Sequence, residues 1–319
     1  AARANLRSIG MCASNTAEAH HTGRAWPGGI NVTARHPLPS RVGRGHPRRM
    51  SDSDPAFDLD RIGGRKALVG LIDTVLASGE EAMKLYRAGV ANRTKKKPDR
   101  SPVTEADEAV ERRLSKHLRA RYPEAGFLGE ETGASGPENS GMRWVVDPID
   151  GTRSFIEGSG TWAHSIAIAR RGAVTAAVIH LPARARTFAA ALGQGATLNG
   201  APIRTGCRAE LTGASVMAPK PTMQPAHWRG TPPEVTRVFR PSLAYRMALI
   251  AQGRFDAMLT IRPSWHWDIA AGALIATEAG ALATAADGSP LTFNTETPQS
   301  PGVLAANPGL HRAIRDRLV

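Results

Sequence analysis

The chain has 319 residues, with 41 Lys and Arg against 28 Asp and Glu, 41% hydrophobic and 5% aromatic side chains. That length predicts one large or two medium domains with a sizeable core, and the composition excludes collagen, a disulfide scaffold and wholesale disorder. No run of about 18 apolar residues occurs, so no membrane span is expected, and Cys12 and Cys207 alone cannot build a disulfide framework or a cysteine-rich zinc cluster, which suits a cytoplasmic setting.

Residues 1–50 hold eight arginines against a single acid, Glu18, and so carry +7 of the +13 net charge. They show no sustained hydrophobic period and read as a disordered basic arm. An Arg-rich, acid-poor arm fits a transit peptide, a nucleic-acid tail or sequence upstream of a start at Met50. Because the excess charge is concentrated there, a nucleic-acid role for the whole chain loses its main support, and nucleic acid is not expected as a partner.

Leu68, Leu71, Ile72, Val75, Leu76, Met83 and Leu85 follow helical spacing to about Gly89. A basic loop, Arg93 to Arg100, follows. Thr104 to Asp107 is a capping box that opens a second helix, with Ala106, Val110, Leu114 and Leu118 on one stripe. Trp144-Val145-Val146 predicts a short strand stopped by Asp147-Pro148. Ser165–Ala169 and Val174–Leu181 flank Arg171-Gly172 as a hairpin, and a second, Gly-rich hairpin runs from Phe188 to Gly200. Leu243–Gln252 predicts a helix, Phe255–Ile261 a strand, and Ile269–Ala279 a helix ended by Gly280. Three divisions follow: the arm (1–50), an α+β part (51–200) and a C-terminal α/β part (201–319).

Three acidic clusters each lie at an element boundary: Gly129-Glu130-Glu131, Asp147 to Thr152, and Trp267 to Gly272. Strand ends and helix starts are where mixed α/β folds place their sites. Pro148 stiffens the second cluster, so Asp147 and Asp150 can point to one side with the Ile149 carbonyl between them. Three hard oxygens so arranged suit Mg²⁺. Gly151 and Thr152 then offer backbone N–H groups to a phosphate. Taken singly, these motifs read as a solvated turn, a surface pair and a helix cap. Five acids meeting in one cleft would repel one another without cations, so metal binding is the economical reading if they converge.

The chain resembles the inositol monophosphatase superfamily of Mg²⁺-dependent, lithium-sensitive phosphatases. The resemblance rests on Ser101 to Asp107, Gly129 to Glu131, Asp147 to Thr152 with Phe155, Gly193 to Gly200, and Trp267 to Gly272, in that order. It covers about residues 60 to 318. It implies an α+β fold, a layered α-β-α-β-α sandwich, and a homodimer hydrolysing a small phosphorylated substrate with two or three Mg²⁺ ions. Carried over motif by motif, Glu130, Asp147 and the Ile149 carbonyl hold one ion. Asp147, Asp150 and Asp268 hold a second, and Glu131 orients metal-bound water or helps a weaker third ion. Thr152, bonded to Asp107, positions the attacking water, and Gly151 and Thr152 hold the phosphate. Lys97, within Lys95-Lys96-Lys97, matches a lysine the family often has near the site.

Other phosphate chemistries fit poorly. There is no P-loop, Gly158 to Ala163 lacks the strand and acid of a dinucleotide fingerprint, and Asp147 and Asp150 are spaced unlike the acids of haloacid-type phosphatases. An inositol phosphate is the first choice of substrate, and a 3′-phosphorylated nucleotide is the second. The segment Lys220 to Arg246 should choose between them, with Arg246 as a substrate contact. A reading of another class is a non-catalytic phospholigand- or RNA-binding protein that uses the basic arm.

Overall fold

The computed structural model describes residues 65–88, 94–96, 102–137, 141–293 and 295–319. The basic arm and Lys97 lie outside the described residues. The predicted first helix is α1 (Arg65–Arg87), which buries Leu71, Ile72, Val75 and Ala82. The expected basic loop contains a strand: β1 (Thr94–Lys96) pairs antiparallel with β2 (Pro102–Thr104). Three residues of backbone pairing leave no hydrophobic period to read, which hides the strand from the pattern. Helix α2 (Glu105–Arg121) starts at the capping box, with Thr104 Oγ1 accepting from the Ala106 and Asp107 amides and the Asp107 carboxylate accepting from the Thr104 amide. Its stripe of Ala106, Val110, Leu114 and Leu118 is buried.

An eight-stranded sheet follows. In chain order its strands are β3 (Gly126–Gly129), β4 (Gly133–Ser135), β5 (Met142–Asp150), β6 (Ala163–Arg170), β7 (Ala173–Leu181), β8 (Arg186–Ala191), β9 (Ala196–Leu198) and β10 (Ala201–Ile203). The spatial order is β10-β9-β8-β7-β6-β5-β3-β4, antiparallel except for the parallel β3/β5 pair. Both predicted hairpins are present. The short helix α3 (Thr152–Ile156) leaves the end of β5.

Beyond residue 203 come β11 (Ser215–Met217), β12 (Thr236–Val238), α4 (Leu243–Ala251), β13 (Ala257–Thr260), β14 (Ser264–Trp265), α5 (His266–Glu278), β15 (Leu282–Thr284), β16 (Gln299–Ser300), β17 (Val303–Ala306) and α6 (Pro308–Arg315). Strands β12-β11-β13-β17-β15 form a second sheet, and β14 pairs with β16.

The period of two along the strands sorts the core into layers. Trp144, Val146, Ile166 and Ile168 pack on one side of the large sheet against Leu71, Val75, Val110 and Leu114 of α1 and α2. Val145, Ala167 and Ile179, on the other side, pack against α4 and α5, which also meet Met217, Met258 and Ala305 of the second sheet. The outer face of that sheet, with Val216, Leu259 and Leu304, takes Leu310 and Ile314 of α6. The order is helix, sheet, helix, sheet, helix, as the α+β sandwich reading expected. Among the described residues no helix is long and apolar enough to cross a membrane.

Candidate active site

The site grows from the end of β5. The sequence predicts that Asp147-Pro148 stops this strand, but pairing continues to Asp150 with a register shift. Asp147 lies opposite Ser165 and Asp150 opposite Ala163, so one extra residue bulges from β5. Proline is tolerated at a bulge because no ladder bond needs its missing N–H. His164, between the two partners, bonds the Pro148 carbonyl through Nδ1. The bulge places Asp147 and Asp150 together, and both are buried.

Gly151 turns the chain into α3 with φ 93°, and a β-carbon there would stand 3.3 Å from Ser242 Cβ. Both conditions favour glycine. Phe155 anchors the new helix, with its ring 5.2 Å from Tyr86 and 5.0 Å from Trp162 in edge-on contacts. Thr152 Oγ1 is thereby held 3.3 Å from Asp107 Oδ1 and 3.2 Å from the Ile149 carbonyl oxygen. Asp107 Oδ2 accepts from the Thr104 amide at 2.8 Å and the Thr104 hydroxyl at 2.5 Å.

Asp268 arrives in the first turn of α5, whose entry is tied to β6 by Ser165 Oγ donating to the Trp267 carbonyl at 2.8 Å. Carboxylate oxygens of Asp147, Asp150 and Asp268 all lie within 4.8 Å of one another. Two of the three distant stretches singled out in the sequence therefore meet. The third, at Glu130, acts on the same charges, since Glu130 is among the groups that raise the Asp147 carboxyl.

The electrostatics are those of a crowded acid cluster in which Asp147 and Asp150 are buried and Asp268 is half-buried. Burial first, then Glu130, Asp150 and Asp268, pushes Asp147 well above the usual carboxylate range. Burial, then Asp150 and Glu130, does the same to Asp268. Asp150 is raised by burial to about 6, against the lowering effect of its donors. Those donors come from the start of α4: Ser242 Oγ at 2.7 Å, the Ala244 amide at 2.6 Å and the Leu243 amide at 3.2 Å. Asp147 Oδ1, by contrast, is buried without a hydrogen-bond partner. An orphaned anionic acceptor among like charges is what a divalent cation with a preference for hard oxygen ligands would satisfy.

Pattern reading missed Glu111. It is fully buried on α2 and fastens the turn that carries the first acidic cluster, Gly129-Glu130-Glu131. Its carboxylate accepts from the Glu131 amide at 2.9 Å, the Thr132 amide at 2.9 Å and Thr132 Oγ1 at 2.6 Å. A β-carbon on Gly129 would stand 2.5 Å from that carboxylate, so the chain there must be glycine or move. The available signal was position: Glu111 lies four residues after Asp107 and three before Leu114, so it falls on the buried stripe. Arg246, expected on substrate, lies on α4 and is buried. His266 packs edge-on against Phe293, with ring centroids 5.2 Å apart.

Residues 65–318 match the model of the inositol monophosphatase family. An inositol-1-monophosphatase of Rhizobium meliloti (strain 1021) is 32% identical over 224 residues, which is 67% of this chain and 81% of that protein. A histidinol-phosphatase of Mycobacterium tuberculosis is 34% identical over 262 residues, 78% of this chain and 96% of that protein. The solved structure of a Thermotoga maritima IMPase is similar with a TM-score of 0.67 at 26% identity, covering 79% of this chain and 96% of that one.

Proposed function

Because the chain belongs to the inositol monophosphatase family and is a phosphoric monoester hydrolase, we propose that it hydrolyses a small monoester by Mg²⁺-dependent attack of water at the Asp147–Asp150–Asp268 centre. The observation that carries this reading is the meeting of three carboxylates within 4.8 Å around a buried, unpartnered Asp147 oxygen. Glu130, Asp147 and the Ile149 carbonyl would hold one ion, and Asp147, Asp150 and Asp268 a second. When bound, Mg²⁺ supplies an acidified water and positive charge against the phosphate.

The chain's own residues do the rest. The Thr152 hydroxyl has one proton and two acceptors in reach, Asp107 Oδ1 and the Ile149 carbonyl. It therefore donates inward and keeps a lone pair for the proton of an attacking water. Asp107, pinned at Oδ2 by Thr104, receives the proton that Thr152 passes on. Glu131 would orient the water. The Gly151 and Thr152 N–H groups would hold phosphate oxygens, stabilising charge that grows on them in the transition state. Residues 51–200 thus supply most of the centre and residues 201–319 supply Asp268.

The preferred substrate is an inositol phosphate. The same reading expects inhibition by lithium and a homodimer in size-exclusion chromatography. The test is phosphate release from inositol 1-phosphate, histidinol phosphate, adenosine 3′,5′-bisphosphate and fructose 1,6-bisphosphate, with Mg²⁺ or with EDTA. Mg²⁺-dependent release, fastest from inositol 1-phosphate, is expected. Release that is indifferent to EDTA, or none from the whole panel, would refute the proposal.

A further inference from the structure

Arg246 is 2% exposed, a rare placement for a guanidinium. It lies one turn into α4, two residues beyond the Ser242–Ala244 segment that holds the Asp150 carboxylate. Its Nε donates to the Ser242 carbonyl at 3.4 Å, and its Cζ stands 5.1 Å from the centroid of the Phe239 ring. Nη1 is buried and has no hydrogen-bond partner. A buried arginine ordinarily pairs directly with a carboxylate. This one reaches the centre through Ser242: its Nε bonds the Ser242 carbonyl while the Ser242 hydroxyl donates to Asp150 Oδ2, and from there its charge favours the ionised forms of Asp150 and Asp268. Burial lowers its own pKa to about 10, so it is charged at neutral pH.

We infer that Arg246 is a resident counter-charge on the Asp150–Asp268 side of the centre, holding α4, α5 and the end of β5 together and weakening the binding of divalent ions there. It is a positioning residue, because its burial lets it act on substrate only through the carboxylates and whatever they hold. The inference rests on the metal reading above. Its physical basis is that a fixed positive charge close to the ligands does part of the work of a cation, and also opposes an incoming one. At an effective dielectric near 20, such a charge changes a divalent affinity by about tenfold or more.

The test uses the full chain, stripped with EDTA, as wild type, Arg246→Gln and Arg246→Lys. Mn²⁺ binding is followed by electron paramagnetic resonance, and melting by circular dichroism with and without Mg²⁺. Arg246→Gln should bind Mn²⁺ about tenfold more tightly than wild type. It should also melt lower in EDTA and recover in Mg²⁺. Arg246→Lys should stay within about twofold of wild type in Mn²⁺ affinity, since it keeps the charge. A folded Arg246→Gln with unchanged or weaker affinity would overturn the inference, as would a Lys variant that departs as far as the Gln variant. Should Arg246→Gln fold only with Mg²⁺, the inference is supported. Should it fold under neither condition, Arg246→Lys decides: native folding with near-wild-type affinity supports the inference, and anything else overturns it. Wild type that binds no divalent ion would remove the metal reading itself, whereas wild-type binding with an indifferent Gln variant would remove this inference alone.

Discussion

Buried carboxylates occur in two settings in this molecule, and the setting decides what each one does. On α2, Asp107 and Glu111 accept hydrogen bonds from the Thr104, Glu131 and Thr132 amides and from threonine hydroxyls. They close turns and hold neighbouring segments. At the end of β5 and the start of α5, Asp147 and Asp268 face other carboxylates instead, and burial and repulsion push both well up. Asp150 stands between the two settings, with three donors from α4 and two acidic neighbours. A buried acid supplied with N–H groups fastens backbone, a task Asp107 combines with its proposed role as proton acceptor for Thr152, and one deprived of them is a place for a cation.

The sharpest way to break this contrast is Asp147→Asn. Phosphatase activity should fall by several powers of ten, yet the EDTA-treated variant should melt at or above the wild-type temperature, because a repelling charge has gone. A variant with near-normal turnover, or one that unfolds, would place Asp147 with the structural acids. Next in size is Thr152→Val, which removes the hydroxyl between Asp107 and Ile149. Its kcat should drop about 10²-fold with Mn²⁺ affinity unchanged, and a parallel loss of metal binding would contradict the division of labour. Glu111→Ala should lower stability by about 3 kcal/mol, since it leaves two amides and a hydroxyl without their acceptor. Denaturant unfolding measures that, and a loss below about 0.5 kcal/mol, within the range of ordinary surface substitutions, would make Glu111 dispensable.

The smallest effect concerns pH. Burial lowers His164 to about 4, and burial with the neighbouring His164 lowers His180 to about 3, both from 6.5. The folded state therefore resists protonation, and the stability this contributes is present above pH 6.5 and lost as pH falls toward the folded values. His180→Gln removes one of these titrations while offering Thr187 a partner. The stability advantage of wild type over His180→Gln should shrink between pH 6.5 and 4, and a constant difference would argue against a neutral buried His180.

Much of this was legible from residue order. The capping box at Thr104 and Asp107, both hairpins and the apolar stripes follow from local rules that tertiary contacts did not override. The convergence of Asp147, Asp150 and Asp268 followed from where their motifs sit on strand and helix ends. Besides the short strand β1, three features around the site were not legible. Pro148 reads as a strand stop, but a bulge removes the need for its N–H, and the pairing partner that shows this lies on another strand. Glu111 is an acid on an apolar stripe, and its donors lie about 20 residues away. Arg246 reads as an exposed binding residue because the ring that covers it, Phe239, belongs to a segment without a periodic pattern.

The central claim, that acids from separate stretches assemble one divalent-cation centre, is tested most directly by titrating Mn²⁺ into EDTA-stripped wild type and Asp147→Asn. The account predicts saturable binding to wild type that Asp147→Asn largely abolishes while its circular dichroism stays native. Equal binding by both proteins, or none by either, would contradict it.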